Sequence, residues 1–337
     1  MNLFDANKPK FKLGDKPMRL IELFSGYGSQ ALALKYLNIP FEHYLACEID
    51  KHAIQSYNDI HNTNFEPSDI TKLESLNIVD TNKYNYILTY SYPCQDLSTA
   101  GKQKGMEEGS GTRSSLLWEV KRLLNECKEL PQVLLMENVP QVLKAKGWNE
   151  WYNFLESKGY KNYCEILNAK DYGVAQKRKR CFMISILGSY KYEFPKPVAL
   201  EKTINDYLES NVDKRYYLNE RNKDYILDTK GVRGGIQRSI VNPNIAKTIS
   251  CRGACDQRAN ITNFVILNSE REMRISECIQ HKEDLIIRKL TPKECLRLMG
   301  VKDEDIDKMT VSKTQKYKQA GNSIVVDVLM AIFKELI

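Results

Sequence analysis

The sequence predicts an α/β protein with a doubly wound, mostly parallel sheet and a second, smaller domain. Short apolar segments alternate with segments of helical spacing over roughly the first half of the chain. A glycine-rich turn, SGYGS at 25–29, follows the first apolar segment. From about Lys191 to Arg288 the chain becomes polar and irregular. These changes predict a catalytic domain at 18–190, a second domain at 191–288 and a segment at 289–337 that returns to the first domain.

Each predicted strand is a short apolar run, and each predicted helix has apolar residues three or four positions apart. The predicted strands are Arg19–Phe24, His43–Asp50, Tyr84–Ser91 and Pro131–Val139, followed by Lys161–Ala169 and Arg180–Leu187, which can pair as a hairpin. The predicted helices are Gln30–Leu37, Lys51–His61, Ser114–Cys127, Asn149–Tyr160, Thr291–Gly300 and Ser323–Leu336. Thr291 suits a helix N-cap, with Glu294 at the capping-box position. A further strand is expected to end near Asp69.

Composition restricts the class of protein. The 337 residues carry a net charge of +7, which fits a polyanionic partner without requiring one. No apolar run is long enough to span a bilayer, and the polar N-terminus lacks the apolar region of a secretory signal. Nine cysteines and only four histidines indicate free thiols in a reducing, cytoplasmic compartment and no metal site. About the first dozen residues are expected to form a loose arm.

The glycine turn predicts a nucleoside site. Gly26 and Gly28 allow a ligand to approach the backbone, but the third glycine of a dinucleotide fingerprint is missing. Glu48 lies about 20 residues further on, where a carboxylate can bind ribose hydroxyls. Asp69 follows as another acid. The alternative interpretation is an ordinary turn with solvated carboxylates.

Three further motifs carry side chains that can do chemistry. Cys94 follows a predicted strand, at the edge of an open sheet where ligands gather, although most free cysteines are inert and buried. Glu137 ends another strand and would face the same crevice, or it is a surface carboxylate. In QKRKR, alternation places Gln176, Arg178 and Arg180 on one side of the chain, and a basic run of this kind is otherwise often a solvated patch.

These motifs resemble one family. PCQ, ENV, QKRKR and QAGNS follow FSGYG in the order and spacing of the DNA cytosine-C5 methyltransferases, and RKLTPKECLRLMG resembles the penultimate block of that family. The resemblance covers Arg19 to Ile337 except the region after about Tyr190. It implies a Rossmann-like methyltransferase sheet with a target-recognition domain. It also implies that the Cys94 thiolate adds to C6 of a flipped cytosine while Glu137, Arg178 and Arg180 assist.

The resemblance further implies S-adenosyl-L-methionine as the cofactor. Glu48 would bind the ribose hydroxyls, Ile49 would pack on the adenine, and Asp69 would bond its amino group. The remaining residues implied at the cofactor site are Phe24, Gly26, Gly28, Ile70, Pro93, Leu116, Asn322 and Ser323.

Double-stranded DNA is the implied partner. The loop from Ser98 to Arg113 has the length and the glycines of a lid over DNA. Gln237 would fill the gap left by the flipped base. The residues implied to contact DNA are Gln95, Ser98, Arg113, Gln237, Arg238 and Thr248. Ser91, Tyr92 and Ala100 depart from residues common in the family, which affects details of base flipping.

The leading hypothesis is therefore a sequence-specific DNA cytosine-C5 methyltransferase of a bacterium or phage. It would act as a monomer on DNA and protect DNA, with a cognate restriction endonuclease as a functional partner. A tRNA methyltransferase with the same motifs and a catalytically silent DNA-binding homologue are the alternatives. A nicotinamide dehydrogenase and a cysteine protease fit less well, because the dinucleotide fingerprint and a histidine partner motif are missing.

Overall fold

A computed structural model describes residues 8–94, 97, 106–227, 240–251, 262–269, 272–281 and 284–337. The chain divides into two compact units. The first, here called the sheet unit, comprises Met1–Leu167, Lys179–Pro197 and Val328–Ile337. The second unit comprises Asn168–Arg178 and Val198–Asp327.

The sheet unit contains a six-stranded sheet. Its strands are β1 (Met18–Leu23), β2 (Glu42–Cys47), β3 (Asn85–Tyr90), β4 (Val133–Asn138), β5 (Tyr160–Asn168, whose last residue clusters with the second unit) and, further along the chain, β7 (Lys179–Leu187). Its helices are α1 (Ser29–Tyr36), α2 (Lys51–His61), α3 (Leu117–Glu126) and α4 (Trp148–Ser157). The strand order is β2-β1-β3-β4-β7-β5. β1 pairs in parallel with β2 and β3, β3 pairs in parallel with β4, and β7 runs antiparallel to β4.

The sheet forms because its central strands are apolar on both faces. Every residue of β3 and β4 is buried, as expected for parallel strands whose faces are both covered. Helix α2 has the predicted bounds, and the Asp50 side chain caps it by accepting the His52 N–H. The strand predicted to continue to Asp50 ends at Cys47 instead. No strand precedes Asp69 in the described segment 62–84, so the strand expected there was wrong.

The N-terminal segment is held in place from Lys10 onward. Phe11 N–H donates to the Lys191 carbonyl and Leu13 N–H to the Leu336 carbonyl, each at 2.8 Å. The side chains of Phe11 and Leu13 are each 6% exposed, because their alternation points both into the core. The expectation of a loose arm was therefore wrong for the described residues that precede β1.

The second unit is built from short elements. Its strands are β6 (Gln176–Lys177), β8 (Ile240–Val241), β9 (Ala246–Lys247), β10 (Phe264–Ile266), β11 (Met273–Arg274) and β12 (Ile287–Lys289). Its helices are α5 (Glu220–Leu227), α6 (Ile275–Gln280), α7 (Pro292–Arg297), α8 (Asp303–Ile306) and α9 (Lys313–Asn322), and α10 (Val326–Leu336) leads back into the sheet unit. Three two-stranded sheets pair β10 with β12, β11 with β8, and β6 with β9.

The division differs from the predicted domain boundaries in three places. Residues 168–178 and most of the segment after 289 cluster with the second unit, and residues 191–197 cluster with the sheet unit. A buried ion pair explains why the segment after 289 clusters with the second unit. Arg288 donates to both Glu294 oxygens at 2.8 and 2.7 Å, and Glu294 also accepts the Glu209 N–H. The predicted capping box of Thr291 and Glu294 is present at the start of α7.

Candidate active site

The turn between β1 and α1 has an unusual backbone. Phe24, Gly26 and Gly28 all have positive φ, at 59°, 57° and 82°. Residues other than glycine rarely adopt this backbone conformation, so the backbone at Phe24 is strained in a way that is common at ligand sites. A Cβ on Gly28 would lie 2.5 Å from His61 Nε2 and 2.7 Å from a Tyr57 ring carbon, whereas a Cβ on Gly26 would meet nothing within 4 Å. Gly28 is therefore required by packing as well as by backbone conformation.

Glu48 connects this turn to the end of β2. One carboxylate oxygen accepts the Gly26 N–H at 3.0 Å, and the other accepts the Asp50 N–H at 2.9 Å. Burial raises the pKa of Glu48, while these hydrogen bonds oppose the shift. The neighbouring Ile49 is 69% exposed, which is unusual for a large apolar side chain beside a built turn.

Asp69 lies at the start of a short helical turn rather than after a strand. Its side chain accepts the Thr71 N–H at 3.0 Å and the Thr71 hydroxyl at 2.9 Å, and these bonds lower its pKa. Ile70 beside it is buried. Asp69 is thus the N-cap of a helical turn and does not end a strand.

A buried network below the turn was missed by sequence reasoning. The Glu22 side chain is fully buried in β1 and accepts the Tyr57 hydroxyl at 2.6 Å and the Ala31 N–H at 3.3 Å. Burial raises the pKa of Glu22 to about 7. His43 Nδ1 lies 2.8 Å from the same Tyr57 hydroxyl, and burial lowers the His43 pKa to about 4. The signal that could have revealed this network is the acid inside the apolar run RLIELF.

The segment after β3 positions the thiol. Cys94 is half-buried and packs against the main apolar core of the sheet unit. The Ser114 hydroxyl donates to the Pro93 carbonyl at 2.7 Å, and the Leu97 N–H donates to the Cys94 carbonyl at 3.0 Å. Asn138 Nδ2 donates to the Tyr92 carbonyl at 3.1 Å. The cysteine is therefore held between the ends of two parallel strands, β3 and β4.

The end of β4 carries the predicted carboxylate and its cation. Glu137 Oε1 lies 3.0 Å from Arg180 Nε, and both side chains are mostly buried. In the antiparallel pairing of β4 and β7, Asn138 lies opposite Cys181, so Arg180 comes one position beyond the end of β4. A carboxylate paired with a guanidinium in this way is well suited to hold a planar, polar ring.

Four predicted residues come together in the second unit. Arg178 donates to the carbonyls of Ile249 at 3.0 Å, Gly321 at 3.0 Å and Ser323 at 2.6 Å. Thr248 lies next to Ile249, and its hydroxyl donates to the Lys177 carbonyl at 2.6 Å. Asn322 is exposed at the end of α9. Arg178 therefore fixes the backbone on either side of Asn322 and next to Thr248.

The other predicted residues are less informative. Arg113 is exposed in a short helical turn before α3, and Leu116 of the same turn packs against the core. Gln95, Ser98, Gln237 and Arg238 lie outside the described residues. Among the residues that the structure describes, no group of three or more His, Cys, Asp and Glu side chains could hold a metal ion, and no helix is long and apolar enough to cross a membrane.

The fold and these sites define a class of enzyme. The sheet is Rossmann-like, with a glycine turn and an acid at the first two strands, as in nucleoside-binding enzymes. The next two strands place a cysteine beside a carboxylate and an arginine, as in enzymes that use covalent catalysis. These features fit a methyltransferase that modifies a pyrimidine ring.

Comparisons with known proteins identify the family. The model of the C-5 cytosine-specific DNA methylase family matches residues 18–337, and the chain belongs to this family. It is 34% identical to the type II methyltransferase M2.ScrFI of Lactococcus lactis subsp. cremoris, over 95% of this chain and 99% of that protein. It is 32% identical to the type II methyltransferase M.HhaI of Haemophilus parahaemolyticus, over 94% of this chain and 93% of that protein.

A solved structure has the same fold. The Entamoeba histolytica methyltransferase EhMeth matches with a TM-score of 0.77 at 20% identity, over 95% of this chain and 98% of that chain. The predicted family, the predicted fold class and the predicted DNA cytosine-C5 methyltransferase activity are therefore confirmed. As a member of this family, the enzyme is an S-adenosylmethionine-dependent methyltransferase.

Proposed function

We propose that this enzyme methylates cytosine in a specific sequence of duplex DNA, with Cys94 as the nucleophile and S-adenosyl-L-methionine bound at the turn after β1. The observation that carries the proposal is the Glu137–Arg180 ion pair of 3.0 Å, next to Asn138, whose side chain holds the backbone that leads to Cys94. A thiol, a carboxylate and a guanidinium are thus assembled at one edge of the sheet.

The residues around the turn fit the cofactor. Ile49 offers an exposed apolar surface to an adenine ring. Glu48, directly before it, supplies a carboxylate for the ribose hydroxyls, and Asp69, further along the chain, supplies one for the amino group. A Cβ at Gly26 would meet nothing within 4 Å, so a ligand can approach the backbone there, with Phe24 at the start of the turn. Gly28, which packs against Tyr57 and His61, is a proposed cofactor residue through its backbone. The remaining proposed cofactor residues are Ile70, Pro93, Leu116, Asn322 and Ser323. When bound, the cofactor supplies a methyl group activated by its positively charged sulfur.

The chain's own residues then act on the cytosine ring. Cys94 adds as thiolate to C6, which makes C5 electron-rich enough to take up a methyl group. Glu137 hydrogen-bonds the exocyclic amine and N3, and a proton that it donates to N3 offsets the negative charge that develops there, while Arg180 contacts O2. A base or a water molecule then takes the C5 proton, so that Cys94 leaves C6 as thiolate and the ring is restored.

Arg178 has a different part in this proposal. Its guanidinium hydrogen bonds to three backbone carbonyls support a positioning role for the segment that contains Asn322 and Ser323, and for the backbone next to Thr248. The resemblance had suggested that Arg178 acts on the thiolate and its loop. Thr248 and Arg113 remain proposed DNA contacts, together with Gln95, Ser98, Gln237 and Arg238. The target base is flipped out of the duplex to reach Cys94.

The biological role that we propose is protection of DNA in a restriction-modification system. Two relatives with more than 90% coverage are type II methyltransferases, M2.ScrFI and M.HhaI. A cognate endonuclease is then the functional partner, and the enzyme acts as a monomer on DNA in the cytoplasm.

The test is transfer of labelled methyl groups from S-adenosylmethionine to duplex DNA and, in parallel, to tRNA. We expect methylated DNA, and bisulfite sequencing of DNA from expressing cells should place the mark at one recurring sequence. Duplex DNA with 5-fluorocytosine at that sequence should become covalently attached to the wild-type protein and not to Cys94→Ser. Methylation of tRNA alone, or a covalent adduct that survives in Cys94→Ser, would contradict the proposal.

A further inference from the structure

Two thiols lie side by side on neighbouring strands of the sheet. Cys164 is on β5 and Cys181 is on β7, and these strands are adjacent in the sheet. Their sulfur atoms are 3.3 Å apart. Cys164 is exposed, whereas Cys181 is fully buried. A disulfide bond of about 2.0 Å would require the sulfurs to move roughly 1.3 Å closer, a small change for two side chains.

Other thiols of the sheet unit have different surroundings. Cys127 donates to the Leu123 carbonyl at 3.2 Å and Cys47 donates to the Ser68 carbonyl at 3.6 Å. In both cases a thiol, which is a weak donor, forms a hydrogen bond with a backbone carbonyl. The contact between Cys164 and Cys181 instead joins two sulfurs. The methyl transfer uses neither of them, because its proposed nucleophile is Cys94.

The two thiols are unequal in a way that suits stepwise exchange. The hydrogen bond between the sulfurs lowers the pKa of Cys164 and, together with burial, raises that of Cys181. A thiolate is the attacking species in thiol–disulfide exchange, and the attack also needs access to the reagent. Cys164 has the lowered pKa and the access to solvent, so it is the thiol that reacts first, and the Cys181 sulfur lies 3.3 Å from it on the buried side.

We infer that Cys164 and Cys181 form a thiol–disulfide exchange site that accepts a small-molecule disulfide. The Cys164 thiolate attacks one sulfur of the reagent, breaks its S–S bond and releases one thiolate. Cys181 then gives its proton to the departing half of the reagent and attacks Cys164, which forms the bond between the two cysteines and releases that half as a free thiol. Both protein thiols are oxidised, and the one reagent disulfide is reduced to two thiols. This site is independent of the proposed function, since no cofactor or DNA takes part.

The experiment uses the full-length Cys94→Ser protein, so that the catalytic thiol cannot react. The protein is incubated with oxidised glutathione, and intact mass and peptide mapping follow the products. We expect the loss of the two thiol hydrogens, a crosslink between the peptides that carry Cys164 and Cys181, and full reversal by a reducing thiol. The inference is overturned if the folded protein stays fully reduced at these two positions under conditions in which the exposed Cys251 forms a mixed disulfide.

Variants separate the two steps. Adding Cys181→Ala should stop the reaction at a stable glutathione adduct on Cys164. Adding Cys164→Ser instead, at an exposed position where folding is not at risk, should leave Cys181 unmodified. Cys251→Ser is the control for an exposed thiol and should leave the crosslink unchanged. A crosslink that links Cys164 or Cys181 to any other cysteine would also overturn the inference. None of these readouts depends on methyl transfer, so a failure of the proposed function would leave them interpretable.

Discussion

The ends of β1 and β2 and the ends of β3 and β4 lie along one edge of the same sheet, but they are built differently. At the first pair, the Glu48 carboxylate accepts backbone N–H groups of the protein itself, and the backbone has a strained, left-handed path. At the second pair, a thiol is half-buried and the Glu137 carboxylate is matched to the Arg180 guanidinium. The first region is therefore distinguished by the conformation of its backbone, and the second by the chemistry of its side chains. Substitutions should have different consequences in the two regions.

The largest effect is expected at the thiol. Cys94→Ser should lower methyl transfer by about 10⁴-fold or more, because a serine hydroxyl cannot add to C6 as readily as a thiolate. The free energy of unfolding should change little, since the side chain is only half-buried. Labelled-methyl transfer and chemical denaturation measure the two quantities. Cys127→Ser is the matched control, at another half-buried cysteine, and a comparable loss of activity there would contradict the assignment.

Glu137→Gln should have the next largest effect on catalysis. The change removes the acid that can give N3 a proton, and it leaves Arg180 without its ionic partner, so kcat should fall roughly 10²- to 10³-fold. Glu150→Gln is the control, because Glu150 also pairs with a cation, Lys121, but at 3.2 Å on the exposed surface. If Glu137→Gln retains more than half of the wild-type kcat, the carboxylate has no role in the reaction.

The glycine turn provides a paired test of backbone shape. Gly28→Ala combines left-handed φ with a Cβ 2.5 Å from His61, so it should destabilise the protein by about 3 kcal/mol or more. Gly26→Ala has the backbone penalty alone, about 1–2 kcal/mol, because its Cβ meets no atom within 4 Å. Urea denaturation of both variants measures the difference. Equal losses would show that packing against Tyr57 and His61 does not restrict Gly28.

Glu22 should make stability depend on pH. Its pKa is raised to about 7 by burial, so its contribution is fully present below its ordinary pKa of 4.5 and is lost as pH rises through about 7. Glu22→Gln keeps an acceptor for Tyr57 but does not titrate. Between pH 5 and pH 8, approximately, wild-type stability should therefore fall by about 3 kcal/mol relative to the variant. If the stability of the two proteins changes in the same way with pH, Glu22 is not uncharged in the folded protein.

The smallest effect is expected at Ile49. Because the side chain is 69% exposed, Ile49→Ala should change the free energy of unfolding by less than about 0.5 kcal/mol. The KM for S-adenosylmethionine should nevertheless rise by roughly tenfold, through loss of apolar contact with the adenine. Val79→Ala is the control at another exposed apolar residue. An unchanged KM in Ile49→Ala would remove this residue from the cofactor site.

The same contrast explains what could be predicted from the sequence. Gly26, Gly28 and Cys94 come shortly after strands and Glu137 lies near the end of β4, and the edge of an open sheet is where such residues meet. Their positions could therefore be predicted from spacing and from resemblance. Asp69 has the right residue type but not the predicted strand, because an acid that caps a helical turn and an acid that ends a strand look alike in sequence.

Long-range partners could not be predicted in this way. The Glu22 carboxylate bonds to Tyr57, 35 positions away, and Arg178 bonds to carbonyls 71 to 145 positions away. The sequence does not indicate which backbone carbonyl will accept a hydrogen bond, since every residue has one. The hydrogen bonds of Arg178 therefore could not be predicted without the positions of the backbone around Ile249 and Ser323.

The division of the chain also has a consequence for its synthesis on the ribosome. Residues 328–337 belong to the sheet unit, and the carbonyls of Lys334 and Leu336 bind Lys12 and Leu13 near the start of that unit. Nearly all of the second unit is translated before those residues appear. The sheet unit can therefore complete the contacts of Lys12 and Leu13 with Lys334 and Leu336 only after nearly all of the second unit has been synthesised, so its folding is not finished in a strictly N-terminal-first order.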